Sequence, residues 1–132
     1  MEKIKEFLEF LFKKEQEAVN YGYFRDKIEE YNKVSLEIKS YMNDETVGFG
    51  LPQRYEPKSD RYYKAKENAP YPTPRHLYKI SHYKNKDYGD LWACYVSIVN
   101  SYMNTKRIND CFIVAEINGE LKIVAKFGPD ID

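Results

Sequence analysis

The stretch from residue 110 to residue 127 constrains the fold of this chain more than any other. Two runs rich in β-branched and aromatic residues flank Asn118-Gly119. This dipeptide accepts positive φ at both central positions of a type I′ turn, so it closes a two-residue hairpin whose twist matches the strands. If that turn sets the register, Val114 lies opposite Ile123, Phe112 opposite Ala125 and Glu116 opposite Leu121. One face then carries Phe112, Val114, Leu121, Ile123, Ala125 and Phe127 and is expected to be core. The other carries Cys111, Ile113, Ala115, Ile117 and Val124 mixed with Glu120, Lys122 and Lys126. An apolar patch of this size on a sheet usually meets something. A second copy of the chain would make a homodimer, and the C-terminal tail or a long loop folded back over the face would not.

The preceding residues supply two more strands. Residues 76 to 84 alternate His76, Tyr78, Ile80 and His82 against Leu77, Lys79, Ser81 and Tyr83, the period of a strand. A polar loop at 85 to 90 turns the chain. Residues 91 to 99 are apolar on both faces, with Trp92, Cys94, Val96 and Ile98 on one and Leu91, Ala93, Tyr95 and Val99 on the other, which predicts a central strand covered on both sides. Polar residues 100 to 109 lead into the hairpin, completing an antiparallel meander of four strands.

Helical periodicity fills the N-terminal third. Ile4, Phe7, Leu8, Leu11, Ala18 and Val19 recur at three- and four-residue spacing, giving an amphipathic helix over 2 to 20, roughly 30 Å long, that ends at Gly22. Phe24, Ile28, Tyr31, Val34, Ile38, Tyr41 and Met42 continue the pattern. Asn32 and Val34 predict a kink or a break near the middle, and 36 to 40 also read as an alternating strand. Helices at 2–42, a long loop at 43–75 and an antiparallel sheet at 76–127 make an α+β two-layer domain spanning 1–132.

Gly48, Gly50 and five prolines break any regular element between 43 and 75, and such a long irregular segment is usually functional or mobile. Its Tyr55, Arg61, Tyr62, Tyr63 and Tyr71 are candidate partner-binding residues, because tyrosine offers a large apolar body with a polar tip. The chain carries 21 basic and 21 acidic residues. A net charge of zero gives no electrostatic footprint for nucleic acid. The first residues interleave glutamate with apolar side chains, and no run approaches a membrane span, so neither a signal peptide nor a membrane partner is expected and the location is read as cytoplasmic. Cys94 and Cys111 sit in apolar runs and read as reduced, buried thiols, with a disulfide as the alternative.

Helices first, then a long loop, then long antiparallel strands in about 130 residues resembles the nuclear transport factor 2-like fold, a cone of helices in the concavity of a bent sheet. Arg61-Tyr62-Tyr63-Lys64, Pro74-Arg75-His76-Leu77-Tyr78-Lys79-Ile80, the run from Leu91 to Ser97 and the run from Asp110 to Val124 look like the immunity-protein branch of that fold, found in bacterial polymorphic toxin systems. The resemblance runs through most of residues 1 to 128. It implies a protein that binds and neutralises a cognate toxin and performs no catalysis.

Residue chemistry adds little to that. His76 and His82 lie six residues apart, roughly 20 Å along a strand, too far to share a metal or act as one dyad. No Gly-rich phosphate loop, metal cluster or nucleophile motif occurs, so no cofactor or metal is expected. Trp92 reads as a core residue. Enzymes of this fold place acid-base groups inside the cone. Tyr78, Tyr95 and Asp110, with His76, are the strand residues that would line such a pocket, and a small-ligand protein with or without isomerase or dehydratase chemistry is the alternative function.

Overall fold

The computed structural model describes residues 1–21, 25–42, 75–100 and 106–131. The expected partner-binding residues Tyr55, Arg61, Tyr62, Tyr63 and Tyr71 and the expected helix cap Gly22 lie outside the described residues. Helix α1 covers Glu2–Tyr21, and a 3-10 turn at Arg25–Lys27 leads into α2, Ile28–Lys39. Four strands follow: β1 His76–Asn85, β2 Gly89–Asn100, β3 Lys106–Ile117 and β4 Glu120–Ile131. They form one antiparallel sheet in the order β1-β2-β3-β4.

Each helix forms as its periodicity dictates. Ile4, Leu8, Leu11 and Ala18 make one buried stripe of α1, and Tyr31, Val34, Ser35 and Ile38 one of α2. Burying each of the large aliphatic side chains is worth about 1.5–3 kcal/mol. Glu29 and Glu30 in the first turn of α2 and Lys39 in its last complement the helix dipole. The expected interruption does not take the form of a break, since α2 runs continuously through Asn32 and Val34, and a 3-10 turn stands at its start instead. The strand reading of 36 to 40 also fails, because Ile38 is buried while Leu36 beside it is exposed, a helical phase. After α2 the chain meets the sheet edge: Ile123 N–H donates to the Tyr41 carbonyl, and Met42 bridges Ile123 in parallel.

The helices and one face of the sheet enclose a single hydrophobic cluster, in which Leu8, Leu11, Phe112, Val114, Cys94, Val96 and Ile123 are fully or almost fully buried. We call this the inner face. The Asn118-Gly119 turn has φ of 52° and 83°, both positive as a type I′ turn demands. Val114 pairs with Ile123 and Glu116 with Leu121, as the turn predicts. Beyond that point the predicted register is wrong. Ile113, not Phe112, pairs with Ala125, because Val124 is an extra residue on β4, a bulge. The bulge reverses strand parity, so Phe112 faces Lys126 and Cys111 faces Phe127. Phe127, expected in the core, is 61% exposed, and Ala125 is half-buried on the outer face. Lys126, expected outside, moves to the inner face for the same reason.

A second bulge lies in the other edge strand. Leu77 pairs with Val96 and Lys79 with Tyr95, which leaves Tyr78 as the extra residue of β1. The β1–β2 turn is shorter than the predicted loop. Asn85 Oδ1 accepts from the Asp87 and Tyr88 amides, and Gly89 takes φ 75°. β2 is a central strand, as its pattern indicates, and Trp92 packs against the core cluster.

Candidate functional site

Two places on the sheet collect side chains beyond what packing requires. The first is the outer face, opposite the helices. The register sets Lys79, Tyr95, Cys111 and Phe127 in one row across all four strands. Tyr78, displaced by its bulge, brings its ring to 6.4 Å from that of Tyr95. Lys79 Nζ lies 5.3 Å from the Tyr95 ring centroid, a cation–π contact, and has no carboxylate partner among the described residues. A hydrogen bond with Tyr83 is the main cause that raises the Tyr95 pKa. Tyr78 and Tyr83 are each about half exposed. Bulges re-aim side chains, and here one in each edge strand turns an aromatic ring onto the same face.

The homodimer residues expected from the sequence fall on this side with one qualification. Cys111, Ile113 and Ile117 are half-buried there and Ala115 is fully buried, whereas Val124 is the bulge itself. Both cysteines are free thiols. Cys94 faces inward and Cys111 outward, so no disulfide joins them. Burial pushes the Cys94 thiol up to about 12, an inert structural residue.

The second place is inside. Arg75, just before β1, reaches between α1 and β3. Its Nε donates to Glu15, 3.1 and 3.2 Å from the two carboxylate oxygens, and its Nη1 donates to Asp110 Oδ2. The guanidinium lies 5.4 Å from the Phe112 ring centroid. All three side chains are almost wholly buried, at 8%, 13% and 4% exposure for Arg75, Glu15 and Asp110. Asp110 Oδ1 is buried and accepts no hydrogen bond from a described residue. Burial, more than any neighbour, holds the Glu15 carboxyl above the usual range, although Arg75 and Lys126 pull it down.

The pocket expected from Tyr78, Tyr95 and Asp110 therefore does not assemble from those three. The tyrosines meet on the outer face, and Asp110 lies on the inner. The sheet itself lies between them, and the helix–sheet interface on its inner side is filled by Leu8, Leu11, Phe12 and Phe112. An open cleft of about 510 Å³ does exist, lined by Phe7, Ser40, Tyr41, Glu120 and Leu121 at the opposite end of α1 from Glu15. His82 is exposed and pairs with Asp90 at 2.8 Å while stacking on Trp92, so the histidine is occupied at the hairpin end and is remote from His76. Among the described residues no cluster of His, Cys, Asp or Glu is placed to hold a metal, and no helix is long and apolar enough to cross a membrane.

Sequence reasoning nominated Asp110 and missed its partners. Glu15 falls at a core position of the α1 stripe, four residues after Leu11 and three before Ala18, and a carboxylate there was the signal. No protein-family model, curated protein or solved structure matches the chain.

Proposed function

We propose that this chain is a binding protein of the immunity type, with the cone-like nuclear transport factor 2-like architecture, that neutralises a protein toxin by holding it and performs no reaction. The observation that supports this reading is the outer face: Tyr78, Tyr83, Tyr95 and Phe127 are exposed to different degrees there, with Lys79, which has no carboxylate partner among the described residues, at its β1 edge. Exposed aromatic rings in a cluster are uncommon on a surface with no partner, and tyrosine is enriched where proteins meet. Lys79, at the β1 edge of this face, favours a partner that presents a carboxylate there.

Co-expression with the product of the neighbouring reading frame tests the proposal. The wild type should relieve that product's toxicity and co-purify with it in a fixed ratio. Lys79→Glu and the double variant Tyr78→Ala, Phe127→Ala should remain folded and lose protection. Protection that survives both variants moves the contact off this face. A folded, abundant protein with no toxic neighbour to restrain removes the immunity reading altogether. Sedimentation of the free protein covers the homodimer: a dimer dissociated by Phe127→Ala would make a second copy the occupant.

A further inference from the structure

The Glu15–Arg75–Asp110 cluster has a composition that its surroundings do not balance simply. Two carboxylates share one guanidinium in a place nearly free of water. Asp110 has the better share, a direct bond from Nη1. Glu15 has only the single Nε–H, split between its two oxygens at 3.1 and 3.2 Å, and a divided hydrogen bond is weaker than an aligned one. Among the described residues the further cation acting on Glu15 is Lys126 from β4, half-buried rather than enclosed. Lys14, next to Glu15 on α1, is committed to Glu17 and Glu37 instead.

We propose that this cluster is a proton-operated latch between α1 and the sheet: Glu15 takes up one proton while the protein stays folded, and the C-terminal half of α1 is held more firmly when it does. Protonation removes a buried charge that has only half a partner and leaves the Arg75–Asp110 pair neutral as a unit. The sign is fixed by linkage. The folded protein binds this proton more tightly than the unfolded chain, so the stabilisation is complete below the pKa of an ordinary glutamate and is lost as pH rises through the higher folded value. Mild acid should therefore strengthen the fold at this point, the reverse of what ion-paired surface carboxylates do.

The measurement is a carboxyl-detected NMR titration of the full chain. Glu15 should titrate above the range of an ordinary glutamate, and in Asp110→Asn, which removes the competing carboxylate from Arg75, its midpoint should move down toward that range. A Glu15 that titrates within or below the ordinary glutamate range overturns the latch. A midpoint unchanged by Asp110→Asn overturns the sharing of Arg75. Thermal melts give an independent reading: on acidification from neutral pH the wild type should gain stability relative to Glu15→Gln. Parallel curves for the two proteins also overturn it.

Discussion

On the inner face of the sheet Phe112, Val114, Cys94 and Val96 have no surface left in water, whereas on the outer face Phe127, Tyr78 and Tyr83 keep half or more of theirs. The same four strands build both faces, and alternation alone would have put Phe127 with Phe112. Added residues in the edge strands make the difference, Tyr78 in β1 and Val124 in β4, where a further register shift falls between the pairings of Asn109 and Cys111. The contrast teaches that an exposed aromatic here is an arrangement of the backbone, since strict alternation from Ile123 would place Phe127 on the inner face.

Four substitutions break or sharpen the contrast. The largest effects belong to the inner face. Phe112→Ala should lose about 3–5 kcal/mol, because its cavity is walled by Phe12 and the aliphatic core and cannot collapse. A similar loss, about 3–5 kcal/mol, is expected for Arg75→Ala, which strands two buried carboxylates. Lowering the pH should partly restore that variant and not Phe112→Ala, so urea midpoints at two pH values tell a charge defect from a cavity. Gly119→Val comes next at about 1–3 kcal/mol. Nothing crowds the site within 4 Å, so the cost is that of a β-branched residue at positive φ alone. An unchanged midpoint would mean that the turn does not pin the register. Phe127→Ala should fall within about 0.5 kcal/mol of the wild type, as exposed positions do. A loss comparable to Phe112→Ala would show that the outer face is internal packing and not a contact surface.

The hairpin was legible because Asn118-Gly119 has few alternatives to a type I′ turn, and the helix–sheet order followed from the switch of hydrophobic period. The bulges were not. Val124 and Tyr78 are good strand residues with no glycine or asparagine beside them to mark an interruption, and it takes the pairing of whole strands to show that one has a residue too many. Arg75 was hidden for a different reason. It closes the irregular stretch 43–75, where no periodicity marks a core position, and its partners lie 60 and 35 residues away. Two signals were nevertheless present in the chain, a glutamate on the apolar stripe of α1 and an aspartate in phase with Phe112 and Val114. A charged residue in a core phase implies an opposite charge somewhere, and the sequence does not say where.

The order of the elements has a consequence for how the chain is made. Phe12 packs against Phe112, a separation of 100 residues, and Lys3 pairs with Glu116. The helices therefore leave the ribosome well before the strands that cover them exist. At a synthesis rate of 5–20 residues per second, the stripe of Ile4, Leu8, Leu11 and Phe12 waits roughly 5–20 s for its sheet. During that interval α1 and α2 have only each other, joined through the Lys14–Glu37 pair and the contacts of their facing stripes. The nascent chain in that window has its α1 stripe without β3 and β4 to cover it, and ribosome-bound chains stalled before residue 106 should bind holdase chaperones that chains released after residue 131 no longer do.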